Sequence, residues 1–175
     1  GKKGGKVLLT LLFKEAQFMV LFLRDANDSQ SVIDTINYLY EVLGEEAFRA
    51  LFPVIITDNG SEFSNPNAIE FDKNGKRRTY LFYCDPSAPF QKGAAENNHS
   101  MIRRIIPKGN TLDIYTQDDI NLMMNHINSY SRKKLNNRPP CRVFSALYGT
   151  NILKKFGSAH IPPNEMILKP DLLMK

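Results

Sequence analysis

A chain of 175 residues, 42% of them apolar and 23% charged, is long enough for one ordinary domain with a hydrophobic core and has a globular composition. No apolar run approaches the roughly 18 residues of a membrane span, and the two cysteines suit a reducing cytoplasm. The net charge of +5 is uneven: residues 1–85 hold 10 Lys/Arg against 12 Asp/Glu, and residues 86–175 hold 13 against 6. That division suits a metal-dependent enzyme acting on a polyanion, although an ordinary solvated surface gives the same balance. Cys84 and Cys141 match no metal spacing and are expected as free thiols. The opening "GKKGGK" carries neither Met nor signal peptide, so the chain is expected to be part of a longer protein.

The elements are predicted in chain order. Val7 to Phe13 and Phe18 to Leu23 are β-forming runs separated by "KEAQ", an antiparallel hairpin buried on both faces or nearly so. Val32, Ile33, Ile36, Leu39, Tyr40 and Leu43 form one stripe of a helix, capped by Asp28 or Ser29 and ended by Gly44. "EEAFRALF" adds a short helix. Val54 to Thr57 reads as a buried strand, and strand, helix, strand is the pattern of a crossover with at least one parallel pair. A basic-tipped hairpin around Asn74-Gly75 and a strand over 79–84 follow. "DPSAPFQKG" is a loop. Helices are predicted from Gly93 to Ile106, from Thr116 to Arg132, and near Phe144 to Tyr148, with an extended, Pro-interrupted arm and a short terminal helix at the end. One domain over residues 1–150 and a C-terminal extension over 151–175 account for the chain.

Two carboxylates carry the chemistry. Asp58 stands where the 54–57 strand ends, and in open α/β sheets ligands gather beyond the carboxyl ends of strands. The Asn59-Gly60 pair is expected to turn the chain at once so that the carboxylate faces a cleft; a plain turn-forming Asp is the alternative. Glu96 falls early in a helix whose buried stripe is Ile102, Ile105 and Ile106, and it shares another face with His99 and Arg103. A carboxylate on a strand end and one on a nearby helix can hold Mg²⁺, which takes hard oxygen ligands and keeps positions open for water and phosphate.

"TDNGSEF", followed after 37 intervening residues by Glu96 within "DPSAPFQKGAAEN", resembles the catalytic core of the DDE recombinases, the retroviral integrases and bacterial transposases. Among these the chain is most similar to IS30-type transposases, whose Asp-Asn-Gly-x-Glu-Phe strand end, Pro-Trp/Phe-Gln-Arg/Lys-Gly loop and Glu-Asn helix running into Pro-Lys-Gly occur here in order. "YSRKKLNNRPP" resembles their downstream segment. The resemblance covers roughly residues 5 to 150. It implies an α/β, RNase H-like fold with a mixed five-stranded sheet flanked by helices. It implies Mg²⁺- or Mn²⁺-dependent DNA cleavage and strand transfer with two ions, Asp58 and Glu96 being the second and third of three carboxylates. It places the first Asp on a strand upstream of Gly1, so this chain is expected to be inactive alone. Asp25 and Asp85 are weaker in-chain substitutes.

The same resemblance gives Lys92 a contact to DNA near the cleavage site. Arg103, Arg104 and Lys108 extend a basic track, and Arg132, Lys133, Lys134 and Arg138 form a further candidate phosphate-contact cluster, as do Lys73, Lys76, Arg77 and Arg78. Each has a bland counterpart as a solvated surface charge. Asn59, Gly60, Asn97 and His99 are supporting residues, His99 orienting Glu96 or touching DNA, and Glu62 is a local turn partner rather than a ligand. The expected partners are transposon ends, target DNA and further copies of the chain assembled on DNA. A structure-specific nuclease on the same fold, or a DNA-binding or oligomerisation module without catalysis, are the alternatives.

Overall fold

The computed structural model describes residues 5–85 and 93–173, with residues 93–97 described by backbone alone. The chain divides into two compact units, one of residues 1–23 and 92–175 and one of residues 24–91.

In the first unit, β1 (Val7–Phe13) and β2 (Phe18–Arg24) form a two-stranded sheet. A four-residue connection can only join antiparallel neighbours, and Gln17 closes it at φ 48°. β2 is the more buried strand, whereas β1 is mostly half-buried, so the expectation of two covered faces holds for one strand of the two. Helices α4 (Gly93–Ile105), α5 (Gln117–Ser129), α6 (Pro140–Tyr148) and α7 (Thr150–Lys155) complete the unit, with short 3₁₀ turns at Pro163–Glu165 and Pro170–Leu173. An aromatic cluster joins the hairpin to α6. Phe18 stacks on Phe144 at 4.3 Å, Phe13 meets Phe144 edge-on at 4.9 Å, and Phe156 closes on Phe13 at 5.8 Å.

Helix α5 starts at a capping box. Thr116 accepts from the Asp119 N–H, and the Asp119 carboxylate accepts from the Thr116 N–H. The helix ends at Ser129, short of the expected Arg132, because Tyr130 turns to extended backbone and Arg132 pairs with Arg138 in a bridge. Two side-chain amides of α5 complete the outer edge of β2. Asn128 accepts from the Met19 N–H at 3.0 Å and donates to the Met19 carbonyl at 2.7 Å. Gln117 donates to the Leu21 carbonyl at 2.9 Å and accepts from the Leu23 N–H at 2.8 Å. Residues 19, 21 and 23 present their backbone groups to one edge, so these carboxamides stand in for a missing strand and blunt that edge.

His126, buried on α5, accepts a hydrogen bond from the Ile167 N–H through Nδ1 at 3.1 Å, which ties the tail to the helix. The acceptor must be neutral, and burial pushes the imidazole pKa below its ordinary 6.5, with no neighbouring charge contributing. The unfolded chain therefore takes up the proton first. Stability is full above pH 6.5 and is lost as pH falls from there toward the folded-state value. The urea midpoint is expected to drop between pH 7.5 and 5.5, and to drop less in His126→Gln; equal drops in the two proteins would contradict this.

In the second unit, α1 (Ser29–Leu43) is capped by Asp28, whose carboxylate accepts from the Ser31 N–H at 2.8 Å, and stops at Gly44 with φ 83°. Val32, Ile33, Ile36, Leu39 and Leu43 are its buried stripe, and Tyr40 is half-buried. α2 (Glu45–Leu51) leads into β3 (Val54–Thr57), and α3 (Pro66–Glu70) precedes β4 (Tyr80–Tyr83). β3 and β4 are parallel, with Val54 opposite Tyr80 and Thr57 opposite Tyr83. The expected hairpin near Gly75 reduces to one bridge, Phe71 to Arg77, closed by Asp72, which accepts from the N–H groups of Asn74 and Lys76.

The described residues form two two-stranded sheets, β1–β2 and β3–β4, in a mixed α/β chain. One expectation is corrected here. β3 is not buried: Val54 and Ile56 are 47% and 66% exposed, and Tyr80 and Phe82 opposite them are 53% and 56% exposed. Only the other face of this sheet, through Thr57 and Leu81, is covered. Among the described residues no helix is long and apolar enough to cross a membrane.

Candidate active site

Asp58 follows β3 directly and is exposed. Parallel pairing carries the two strand ends to one place. The Cys84 N–H donates to the Thr57 carbonyl at 2.7 Å, so Asp58 and the exposed Asp85 both leave the carboxyl end of the same sheet.

The segment after Asp58 is held, though not by the expected turn. Gly60 has φ −64° and ψ 146°, ordinary extended backbone, and the chain runs on into a 3₁₀ turn over Ser61–Phe63. The Tyr83 hydroxyl, on β4, donates to the Phe63 carbonyl at 2.6 Å and fastens that turn to the sheet. The glycine leaves room for a neighbouring side chain. A methyl group at position 60 would lie 2.7 Å from Cδ and 3.0 Å from Oε1 of Glu62, whose carboxylate folds back over the glycine. Glu62 is half-buried, which agrees with its reading as a local partner.

Arg24, the last residue of β2, is a buried charge near Glu62 that sequence reasoning passed over. It donates Nη1 to Ser31 Oγ at 2.8 Å and Nη2 to Asn27 Oδ1 at 3.2 Å, and leaves Nε without a partner. Burial pushes its pKa down, and the carboxylates of Glu62 and Asp28 offset that shift. The available signal was an arginine ending the otherwise apolar run "FMVLFLR".

In the first unit, α4 carries Glu96, Asn97, His99, Arg103 and Arg104. Its backbone places Glu96 in the first turn; the side chains of Glu96 and Asn97, and the whole of Lys92, lie outside what is described. His99 Nε2 lies 3.2 Å from Thr10 Oγ1, so this ring joins α4 to β1. Arg103, Arg104 and Lys108 are exposed. Arg132 is turned inward: Nη2 donates to Asn98 Oδ1 at 3.0 Å and to the Ile127 carbonyl at 3.3 Å, and burial lowers its pKa. It fastens α4 to the end of α5. Lys133, Lys134 and Arg138 beside it are exposed.

Among the described residues no three His, Cys, Asp or Glu side chains converge as a metal cluster. Asp58 and Asp85 present exposed carboxylates at one strand end, and Cys84 between them in the fold is a buried free thiol.

No family model matches the chain. It is similar to the transposase InsI for insertion sequence element IS30C of Escherichia coli (strain K12), 28% identical over 136 residues, which cover 78% of this chain and 33% of that protein. It is 31% identical over 103 residues to the transposase for insertion sequence element IS4351 of Bacteroides fragilis, covering 59% of this chain and 30% of the relative. Over 65 residues it is 34% identical to the transposase for insertion sequence element IS1086 of Cupriavidus metallidurans, covering 37% and 19%. The chain thus spans a third or less of the length of these relatives.

Proposed function

We propose that this chain, related over most of its length to the IS30-type transposases, is part of the catalytic core of a DDE DNA transposase. The observation that carries the reading is Asp58, an exposed carboxylate leaving the carboxyl end of a parallel strand pair on a segment fastened by Tyr83 and Phe63. Glu96 on α4 is its partner in the reaction. Asp58 and Glu96 would hold Mg²⁺ or Mn²⁺, two ions in the complete site. When bound, the metal supplies stabilisation of the attacking and leaving oxygens of phosphoryl transfer. The chain's own part is to hold these carboxylates still and to grip the DNA backbone. Arg103, Arg104, Lys108, Lys133, Lys134 and Arg138, all exposed, supply that grip together with Lys92. Copies of the protein assemble on DNA.

In this reading a third carboxylate completes the site, and neither Asp25 nor Asp85 replaces it. Labelled transposon ends, target DNA and Mg²⁺ test the proposal. A longer protein containing this chain is expected to give joined products, and this chain alone to give none. Cleavage without joining would instead favour a structure-specific nuclease, which shares the metal chemistry. Efficient joining by this chain alone would overturn the three-carboxylate reading.

A further inference from the structure

We propose that the cleft at the amino-terminal end of the β3–β4 sheet seats a backbone phosphate of DNA, at the opposite end of the strands from Asp58. Parallel pairing sets the starts of both strands side by side, Val54 against Tyr80. What precedes each strand therefore meets: Pro53 on one side, Arg77, Arg78 and Thr79 on the other. α2, just before β3, adds Arg49. These residues and Tyr80 line a cleft of about 200 Å³.

Each guanidinium is held in place. Arg77 lies over Phe71 at 4.3 Å and over Tyr80 at 4.6 Å, and pairs with Glu70 at 3.0 Å. Arg78 is buried and donates Nε to the Ile69 carbonyl at 3.0 Å and Nη2 to the Ala68 carbonyl at 2.8 Å. Arg49 pairs with Glu45 at 3.1 Å, and Lys76 pairs with the same carboxylate. Arg49 and Lys76 thus share Glu45 and Arg77 takes Glu70, while the Asp72 carboxylate, which accepts from the N–H groups of Asn74 and Lys76, also acts electrostatically on Arg78. Arg78 has a structural task in bonding the end of α3. Arg49 and Arg77 are each held by a partly exposed ion pair, to Glu45 and Glu70, and a guanidinium carries five N–H donors. Like charges gathered in one cleft repel, and an anion with several oxygens relieves that while matching the planar forks of arginine.

The class of ligand follows from the DNA reading above, on which this proposal rests. From Val54 to Asp58 the strand spans about 13 Å at roughly 3.3 Å per residue, which equals the rise of about four base pairs along a duplex axis at 3.4 Å each. The seat would therefore fix register away from the reacting phosphate and read no sequence.

The test is binding of a labelled 20-base-pair duplex by this chain, without divalent metal, across a series of salt concentrations. Arg49→Gln and Arg77→Gln are each expected to weaken binding roughly threefold to tenfold, equally for unrelated sequences, and to flatten the slope of log affinity against log salt by about 0.9. Thermal melting checks the fold, and Arg49, exposed on α2, serves if Arg77→Gln unfolds. Unchanged affinity and slope in folded variants would overturn the seat and leave the DNA reading standing. No duplex binding by the unmodified chain would overturn that reading itself. Perturbation of the Arg77 and Tyr80 amide resonances by inorganic phosphate, with DNA binding of both variants unchanged, would assign the cleft to a free anion and overturn the DNA assignment.

Discussion

Replacing Asp58 by Asn in a longer protein that contains this chain should lower DNA joining by about a thousandfold or more and leave metal-free DNA binding within about twofold. Asn has nearly the shape of Asp and keeps one acceptor oxygen, and the side chain is exposed, so the fold has no reason to change. What is lost is the negative charge and one hard oxygen donor. Metal ions contribute several kcal/mol to stabilising the charge of a phosphoryl-transfer transition state. At 1.36 kcal/mol per tenfold, a loss of about 4 kcal/mol is a factor of roughly a thousand. Glu96→Gln should do the same. The double variant should be little worse than either single one, since the two carboxylates act as a unit. Joining of labelled ends in Mg²⁺ measures this; activity within tenfold of the unmodified protein for either variant would remove that residue from the reaction.

The second large effect is on stability. Asn128→Ala should cost about 2–4 kcal/mol, read from the urea midpoint at unchanged slope. Asn128 is fully buried, and its one amide satisfies both the N–H and the carbonyl of Met19, itself buried. Truncation leaves two backbone groups unpaired, each costing about 1–3 kcal/mol unless water reaches them. The packing at Met19 excludes water, so the upper part of that range is expected. Gln117→Ala should cost less, because that end of the joint is only partly buried. A loss below about 1 kcal/mol for Asn128→Ala would mean that a water or a shifted side chain fills the gap.

Neither amide was legible in the sequence. "NHINS" gives no local reason for a buried polar residue; the reason is a strand edge more than a hundred residues away in the chain. The helices were legible because period and punctuation coincide. The stripe from Val32 to Leu43 lies between Asp28 and Gly44, and Thr116 and Asp119 announce α5. The exposed side of β3 was not, since a run of apolar residues says nothing about which face another element covers. Asp58 was found by its position at a strand end. The company of Arg49 and Arg77 was not, because it depends on which strand pairs with which, and in what direction.

The crowding between Gly60 and Glu62 constrains how this sequence can drift. An alanine at 60 collides with a carboxylate, the loose end of a flexible chain, and not with backbone, so the fold itself would absorb the change at little cost. What would not survive is the resting place of Glu62 beside the segment that presents Asp58. Positions 60 and 62 therefore carry an order of replacement. Shortening residue 62 first makes position 60 free to vary, whereas varying 60 first relocates a negative charge next to the proposed reaction centre.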